Sequence, residues 1–260
     1  MPHPKVLPTL TLGDTEVTRI GLGTNRLTNT PEHATFIQDA IAAGINHIDT
    51  AHLYTGGDSE QAIGAARAPS ADGVVVATKG GYKAGEGRAD VLRSQIEQSL
   101  RSLRTDAIEL YYLHRVHPDT PLEESLTTIR EFVDRGAIRY VGISEVSVAQ
   151  IEQARTIVPI AAVQNHYNLS ERRHDDVVDH CEREGLVFVP FFPLRGDGGR
   201  ALGEIAGRHG ATPSQVTLAW LLRRSPCMLA IPGTLSVDHA RENLAALDLD
   251  LSDADVEALR

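Results

Sequence analysis

The sequence predicts an α/β fold, a closed (β/α)8 TIM barrel with an N-terminal β-hairpin, and three observations carry that reading. Short apolar runs of strand length alternate with segments of helical periodicity, the pattern of a parallel sheet built from βα units. Eight such runs can be counted in 260 residues, and a barrel of this kind takes roughly 250. Polar residues fall at or just past the C-terminal ends of the runs, at Asp49, Lys79, His114, Ser144, Gln164 and Thr234, on the rim where barrels carry their chemistry.

Taken in order, residues 9–18 alternate apolar and polar positions around Gly13-Asp14, which marks a small hairpin. Residues 19–23 form the first barrel strand. Thr30 ahead of Pro31 supplies an N-cap with proline at the first helical position, and Phe36, Ile37, Ala40 and Ile41 give that helix its apolar face. Further strands are expected near 46–49, 73–78, 107–113, 138–143, 160–164, 186–190 and 228–231. Helices are expected near 58–67, 89–103, 121–135, 147–155, 171–183, 213–224 and 238–246. No linker or low-complexity tract interrupts the alternation, so 1–260 reads as a single barrel domain. Gly80-Gly81 and Gly196-Asp197-Gly198-Gly199 read as flexible rim loops. Neither follows the G-x-G-x-x-G pattern from strand to helix, so a Rossmann site is not supported.

Composition narrows the function. Hydrophobic residues make up 42% of the chain, enough for a sizeable core, yet no apolar run approaches the roughly 18 residues of a membrane span. The first ten residues carry neither a basic leader nor an apolar stretch of signal-peptide length, so a cytoplasmic protein is expected. A net charge of −10 argues against a nucleic-acid surface. Cys181 and Cys227 are too few for a disulfide scaffold, lack metal-ligand spacing, and read as structural thiols.

The chemistry centres on Ile48-Asp49-Thr50-Ala51-His52-Leu53-Tyr54, where an acid closes an apolar run and a phenol follows five positions later. A free phenol, with a pKa of about 10, needs a neighbouring cation to exchange protons near neutrality. Lys79 closes the next apolar run and His114 the one after, so Asp49, Tyr54, Lys79 and His114 are the candidate catalytic set. A positive Lys79 is expected to favour the phenolate and lower the pKa of Tyr54. His114 and His117 are spaced as a pair, but no further ligand completes a site, and no metal is expected. His47 reads as a packing or capping residue.

The segments IDTAHLY, VVVATKG and IELYYLHRVHPDTPLEESL, with Gly21-Leu22-Gly23-Thr24 before them and Ile231-Pro232-Gly233-Thr234 and Glu242-Asn243 after, resemble the aldo-keto reductases. The likeness spans nearly the whole chain and points to a bacterial-type member with a short C-terminal loop. It implies an NADPH-dependent enzyme that reduces aldehydes or ketones to alcohols by hydride transfer, with Tyr54 as general acid, Asp49 and Lys79 tuning it, and His114 orienting the carbonyl. It also implies cofactor contacts. Gly23, Thr24 and Asp49 would lie at the ribose end, Ser144 and Gln164 on the carboxamide, and Phe191 stacked on the ring, with Phe192 as the core member of that pair. Pro193, Leu194, Gly233, Thr234, Ser236, His239, Glu242 and Asn243 would follow the rest of the dinucleotide.

Three departures stand out. Glu145 occupies the place of a usual asparagine, and Asn25 and Arg26 replace a tryptophan. Gly233 and His239 replace a lysine and an arginine that clamp the 2′-phosphate, so NADPH is expected with a reduced preference and NADH as usable. The partner implied is a small-molecule carbonyl compound, with no nucleic acid or membrane, in a monomer or weak oligomer. Two rival readings are a nicotinamide-binding regulatory subunit with vestigial turnover and a metal-free barrel isomerase or lyase.

Overall fold

The computed structural model describes residues 7–196 and 198–259. Residues 1–6, read above for a leader, and Asp197 of the second glycine-rich step lie outside the described residues. Strands β1 (Thr9–Leu12) and β2 (Thr15–Thr18) pair antiparallel across Gly13, whose φ of 64° makes the turn, and their Leu12 and Val17 plug the barrel interior.

Seven parallel strands follow in sequential order: β3 (Leu22–Gly23), β4 (His47–Asp49), β5 (Val75–Gly80), β6 (Ile108–Leu113), β7 (Ile138–Ser144), β8 (Ile160–His166) and β9 (Val187–Phe191). The eighth expected run forms no ladder of its own and closes the ring through single parallel bridges. Phe188 meets Met228 on one side, and Ile20 and Gly23 meet Ala230 and Gly233 on the other. Arg19 reinforces this seam. Its buried guanidinium donates to the carbonyls of Met228 (3.0 Å), Leu222 (2.9 Å) and Ser225 (2.5 Å), and burial lowers its pKa only to about 10, so it stays charged.

Alternation along the strands divides the core in two. Val75, Ala77, Leu110, Tyr112, Ala162, Val187, Val189, Leu229 and Ile231 fill the barrel, and their neighbours face the helices. The Tyr112 ring fits because residue 142 opposite is glycine: a Cβ there would come within 2.3 Å of it. Outside lie α1 (Pro31–Ala42), α2 (Asp58–Ala65), α3 (Ala89–Leu103), α4 (Leu122–Asp134), α5 (Val148–Arg155) and α6 (Asp175–Glu184). They are followed by α7 (Gly199–His209), α8 (Pro213–Arg224), α9 (Val237–Leu244) and α10 (Asp253–Ala258). Thr30 caps α1, and capping boxes open α5 and α8 at Ser147 and Thr212.

Gly196 and Gly198 stand outside any helix or strand, as the rim-loop reading expects, and helix α7 from Gly199 is the element that the reading, with no helix between 183 and 213, lacks. Gly199, Gly203 and Gly207 lower its intrinsic propensity, but Ala201, Leu202, Ile205 and Ala206 present one apolar side to the core, and packing decides. Arg208 and His209 at its end bond the buried Asp255 of α10, fastening the last helix. Among the described residues no helix is long and apolar enough to cross a membrane.

Arg19→Met leaves the Met228 and Leu222 carbonyls without the guanidinium, while Ser225 keeps the Met228 N–H (3.3 Å). We expect a loss of roughly 3 kcal/mol, read from urea unfolding. An unchanged midpoint would show that the bridges alone close the ring.

Candidate active site

Asp49 ends β4 and Lys79 lies on β5, where Asp49 pairs in register with Ala77, so both side chains enter the barrel mouth from adjacent strands. Lys79 is fully buried, and each of its three N–H donors finds an oxygen: Asp49 Oδ1 (2.6 Å), the Thr50 carbonyl (2.6 Å) and Tyr54 OH (3.5 Å). Gln164 Nε2, from β8 across the mouth, donates to Asp49 Oδ2 (2.8 Å).

Tyr54 stands on a turn in which Thr55, Gly56 and Gly57 all have positive φ, and the Thr55 hydroxyl bonds the Leu27 carbonyl (2.5 Å). Below it, buried hydroxyls of Thr24, Thr50 and Ser59 bond one another, and Thr24 Oγ1 donates to the Asp49 carbonyl (2.8 Å). These bonds brace the segment that leads to Tyr54.

Burial pulls the pKa of Lys79 down, but Asp49 and Tyr54 beside it outweigh that and leave it above the ordinary value. Burial raises Tyr54, and Lys79 opposes it without prevailing. This corrects the expectation of a lowered phenol pKa: the lysine charge is matched by Asp49 at 2.6 Å and stands 3.5 Å from the phenol, so desolvation wins. Tyr54 is thus a neutral phenol.

His114 follows β6 with its ring edge-on to Tyr54 (6.2 Å) and tilted against Tyr82 (4.8 Å). Burial, with Lys79 and Arg115 adding to it, lowers its pKa to about 2, so it is neutral. His47 is buried on the same strand as Asp49, and both its ring nitrogens lack partners among the described residues. Burial lowers its pKa to about 4, and it packs rather than caps. His117 Nε2 bonds the Tyr82 carbonyl (2.7 Å), tying two rim loops.

Ser144 and Gln164 are register partners on β7 and β8, both buried. Glu145 turns away from them at a φ of 55°, and its carboxylate takes the His166 N–H (2.6 Å) and Arg173 (2.9 Å). Asn165, which sequence reasoning passed over, bonds both N–H and C=O of Val146 and holds the β7 tip. Phe191 stacks on His166 (5.1 Å, 8°). Phe192 is not a core residue: it is 37% exposed, with the Arg195 guanidinium 3.7 Å above its ring.

Two abutting cavities cross this rim, of about 370 and 510 Å³. The first is lined by Gly23, Thr24, Asp49, Tyr54, Phe191, Pro193 and Leu194 among others, and the second by Thr234 and Ser236 ahead of α9 and His239, Glu242 and Asn243 along it. Arg26, Leu194 and Gly233 line both. Arg26 Nη2 donates to the Gly233 carbonyl (3.1 Å), so a cation comes from another loop to the strand where the family's lysine is missing. Tyr82, Arg115 and Arg195 also reach this rim. Their signal in the sequence was position alone, just past strand ends.

A groove with a phenol and aromatic rings at one end and a helix N-terminus at the other thus crosses the mouth of the barrel. The profile of the Aldo/keto reductase family matches residues 19–199 and 197–260, and the chain belongs to that family. It is similar to pyridoxine 4-dehydrogenase of Escherichia coli (strain K12), 37% identical over 270 aligned positions that cover 94% of each chain. Among solved structures it resembles a thermostable aldo-keto reductase, Tm1743, in complex with the inhibitor epalrestat. That match has a TM-score of 0.88 and 33% identity, covering 97% of this chain and 98% of the other. It also resembles an aldo/keto reductase from Klebsiella pneumoniae in complex with NADP and acetate, with a TM-score of 0.87 and 30% identity over 98% and 94%.

Lys79→Met leaves Asp49 as an unpaired buried charge and should cost roughly 3–5 kcal/mol of stability. Adding Asp49→Asn should recover part of it. Strictly additive losses in denaturant unfolding would mean that the two residues do not act as a pair.

Proposed function

We propose that the protein reduces an aldehyde or ketone to an alcohol with NADPH, and that Tyr54 is the proton donor. The observation that carries this is a neutral, half-buried phenol 3.5 Å from a fully buried ammonium at one end of a long groove. The groove fits a nicotinamide dinucleotide. Gly23 lets its strand lie close against the Ile231 carbonyl, which a Cβ there would approach to 2.7 Å, Phe191 offers a ring, and the register pair Ser144 and Gln164 offers a donor and an acceptor. Because the Gln164 amide NH2 is held by Asp49, its carbonyl oxygen is the group left to accept from a carboxamide. The reduced nicotinamide supplies the hydride. Tyr54 gives its proton to the carbonyl oxygen, Lys79 stabilises the phenolate left behind, Asp49 keeps Lys79 charged, and neutral His114 orients the carbonyl.

The choice of NADPH rests on the other end. Ser236 caps α9, whose first N–H groups suit a phosphate, and Arg26 and His239 border the same cavity. Arg241 is paired with Asp238 (3.0 Å) and lies outside that lining. The Klebsiella relative, solved with NADP, supports the reading. A barrel isomerase or lyase without nicotinamide is not favoured by the family match.

With a nitrobenzaldehyde, NADPH consumption should depend on Tyr54. We expect Tyr54→Phe to lose roughly 100-fold or more in turnover and to keep its cofactor affinity. Equal turnover would remove Tyr54 from its role, and tight binding with no Tyr54-dependent turnover would favour the regulatory-subunit reading. Since Tyr54 titrates above its usual value and His114 near 2, the acid stays protonated and the imidazole neutral. The rate of reduction should therefore be flat between about pH 5 and 9; an inflection of imidazole type would contradict this.

His239→Arg should tighten NADPH by roughly one to two decades and leave NADH nearly unchanged. Equal NADPH affinity in both proteins would show that residue 239 does not face the phosphate.

A further inference from the structure

Arg115 follows His114 beyond the tip of β6, half-buried on the rim. Its guanidinium lies 5.3 Å from the ring centre of Tyr82 and 5.5 Å from that of Phe191. Nη1 donates to Ser144 Oγ (3.0 Å) and to the His114 carbonyl (2.7 Å). Both acceptors are neutral. Among the described residues no carboxylate pairs with Arg115, and the acids of neighbouring rim segments are engaged elsewhere. Glu86 accepts from the backbone of Tyr82 and Lys83 (3.1 and 3.0 Å), and Glu145 from His166 N–H and Arg173. The Nε and Nη2 edge, the edge that matches a carboxylate in two parallel bonds, makes no bond within the described residues.

This charge needs an anion that the rest of the site does not supply. Lys79 is already matched by Asp49. In the proposed function, on which this step rests, the cofactor phosphates lie at the far end of the groove by Arg26, Gly233 and α9, and a nicotinamide ring carries no negative charge. Arg115 is also close enough to act on the proposed chemistry: against the burial that raises Tyr54 it works with Lys79 to lower that pKa. In a chain of net charge −10, an unmatched guanidinium beside the proton donor faces what enters with the carbonyl group.

We propose that Arg115 determines specificity for carbonyl substrates that carry a carboxylate, holding it on its Nε and Nη2 edge while Tyr54 and His114 meet the carbonyl oxygen. The test compares 2-, 3- and 4-carboxybenzaldehyde with their methyl esters, pairs that differ chiefly in charge, the ring position serving as a ruler. For at least one isomer, kcat/KM for the acid should exceed that for the ester by roughly 10- to 100-fold in the wild type. The ratio should fall to about one in Arg115→Met and be partly restored in Arg115→Lys, which keeps the charge and loses the fork. Calorimetric titration of benzoate against benzamide, with the protein saturated in NADPH, reads the same preference without turnover, so a failure of the reductase reading is seen apart from a failure of this one. No isomer preferred over its ester, an equal ratio in Arg115→Met, or no benzoate preference in the titration would overturn the assignment. A large loss of NADPH affinity in Arg115→Met with the acid-to-ester ratio intact would also overturn it, placing the residue on the cofactor instead.

Discussion

The contact between Lys79 and Asp49 governs the rest of this site. A buried ion pair is expensive to desolvate and survives only when its remaining hydrogen-bonding capacity is met. Here it is: Lys79 has three oxygens around it, and the second carboxylate oxygen of Asp49 takes Gln164 from the opposite wall. The pair therefore ties β4, β5 and β8 together at one height and fixes the carbonyl of Thr50. Through that segment it sets where Tyr54 stands. The hydroxyls of Thr24, Thr50 and Ser59 brace the same segment from below.

Around this single matched pair, the other titratable groups of the barrel interior stay neutral. His47 and His114 are lowered by burial to about 4 and about 2, and Tyr112 is raised well above its ordinary value. The apolar filling that stabilises the barrel thus also decides protonation at its mouth. Tyr54 shows the balance: the cation next to it acts in the direction expected, but the matched charge is weaker than the loss of water.

The strand and helix alternation was legible from local pattern, and so were the four residues of the mouth, because each closes or follows a short apolar run. Less legible was anything set by packing against distant chain. Helix α7 carries three glycines that hide it, and its register is stabilised by Ile205 and Ala206 against the core. Phe192 looked like core by composition, yet the chain turns to positive φ there and delivers it to the rim. Arg26 reads only as part of the replacement for the family's tryptophan, and nothing in the local pattern singles out Arg115. Their meaning lies in what stands opposite them, the Gly233 carbonyl and the Ser144 hydroxyl, 207 and 29 positions away in sequence.

The seam between β3 and the 228–233 segment has a further consequence. The ring is joined there by single bridges and a guanidinium rather than a continuous ladder, and the same segment contributes Ile231, Pro232 and Gly233 to the groove wall. In the proposed function a dinucleotide lying along that wall would touch both banks of this join, Gly23 on one and Gly233 on the other, and so act as a suture. Mass action puts the gain at about 2.7 kcal/mol when the free ligand is a hundredfold above its dissociation constant. Resistance to heat and proteolysis would then rise and fall with the reduced cofactor supplied to the protein.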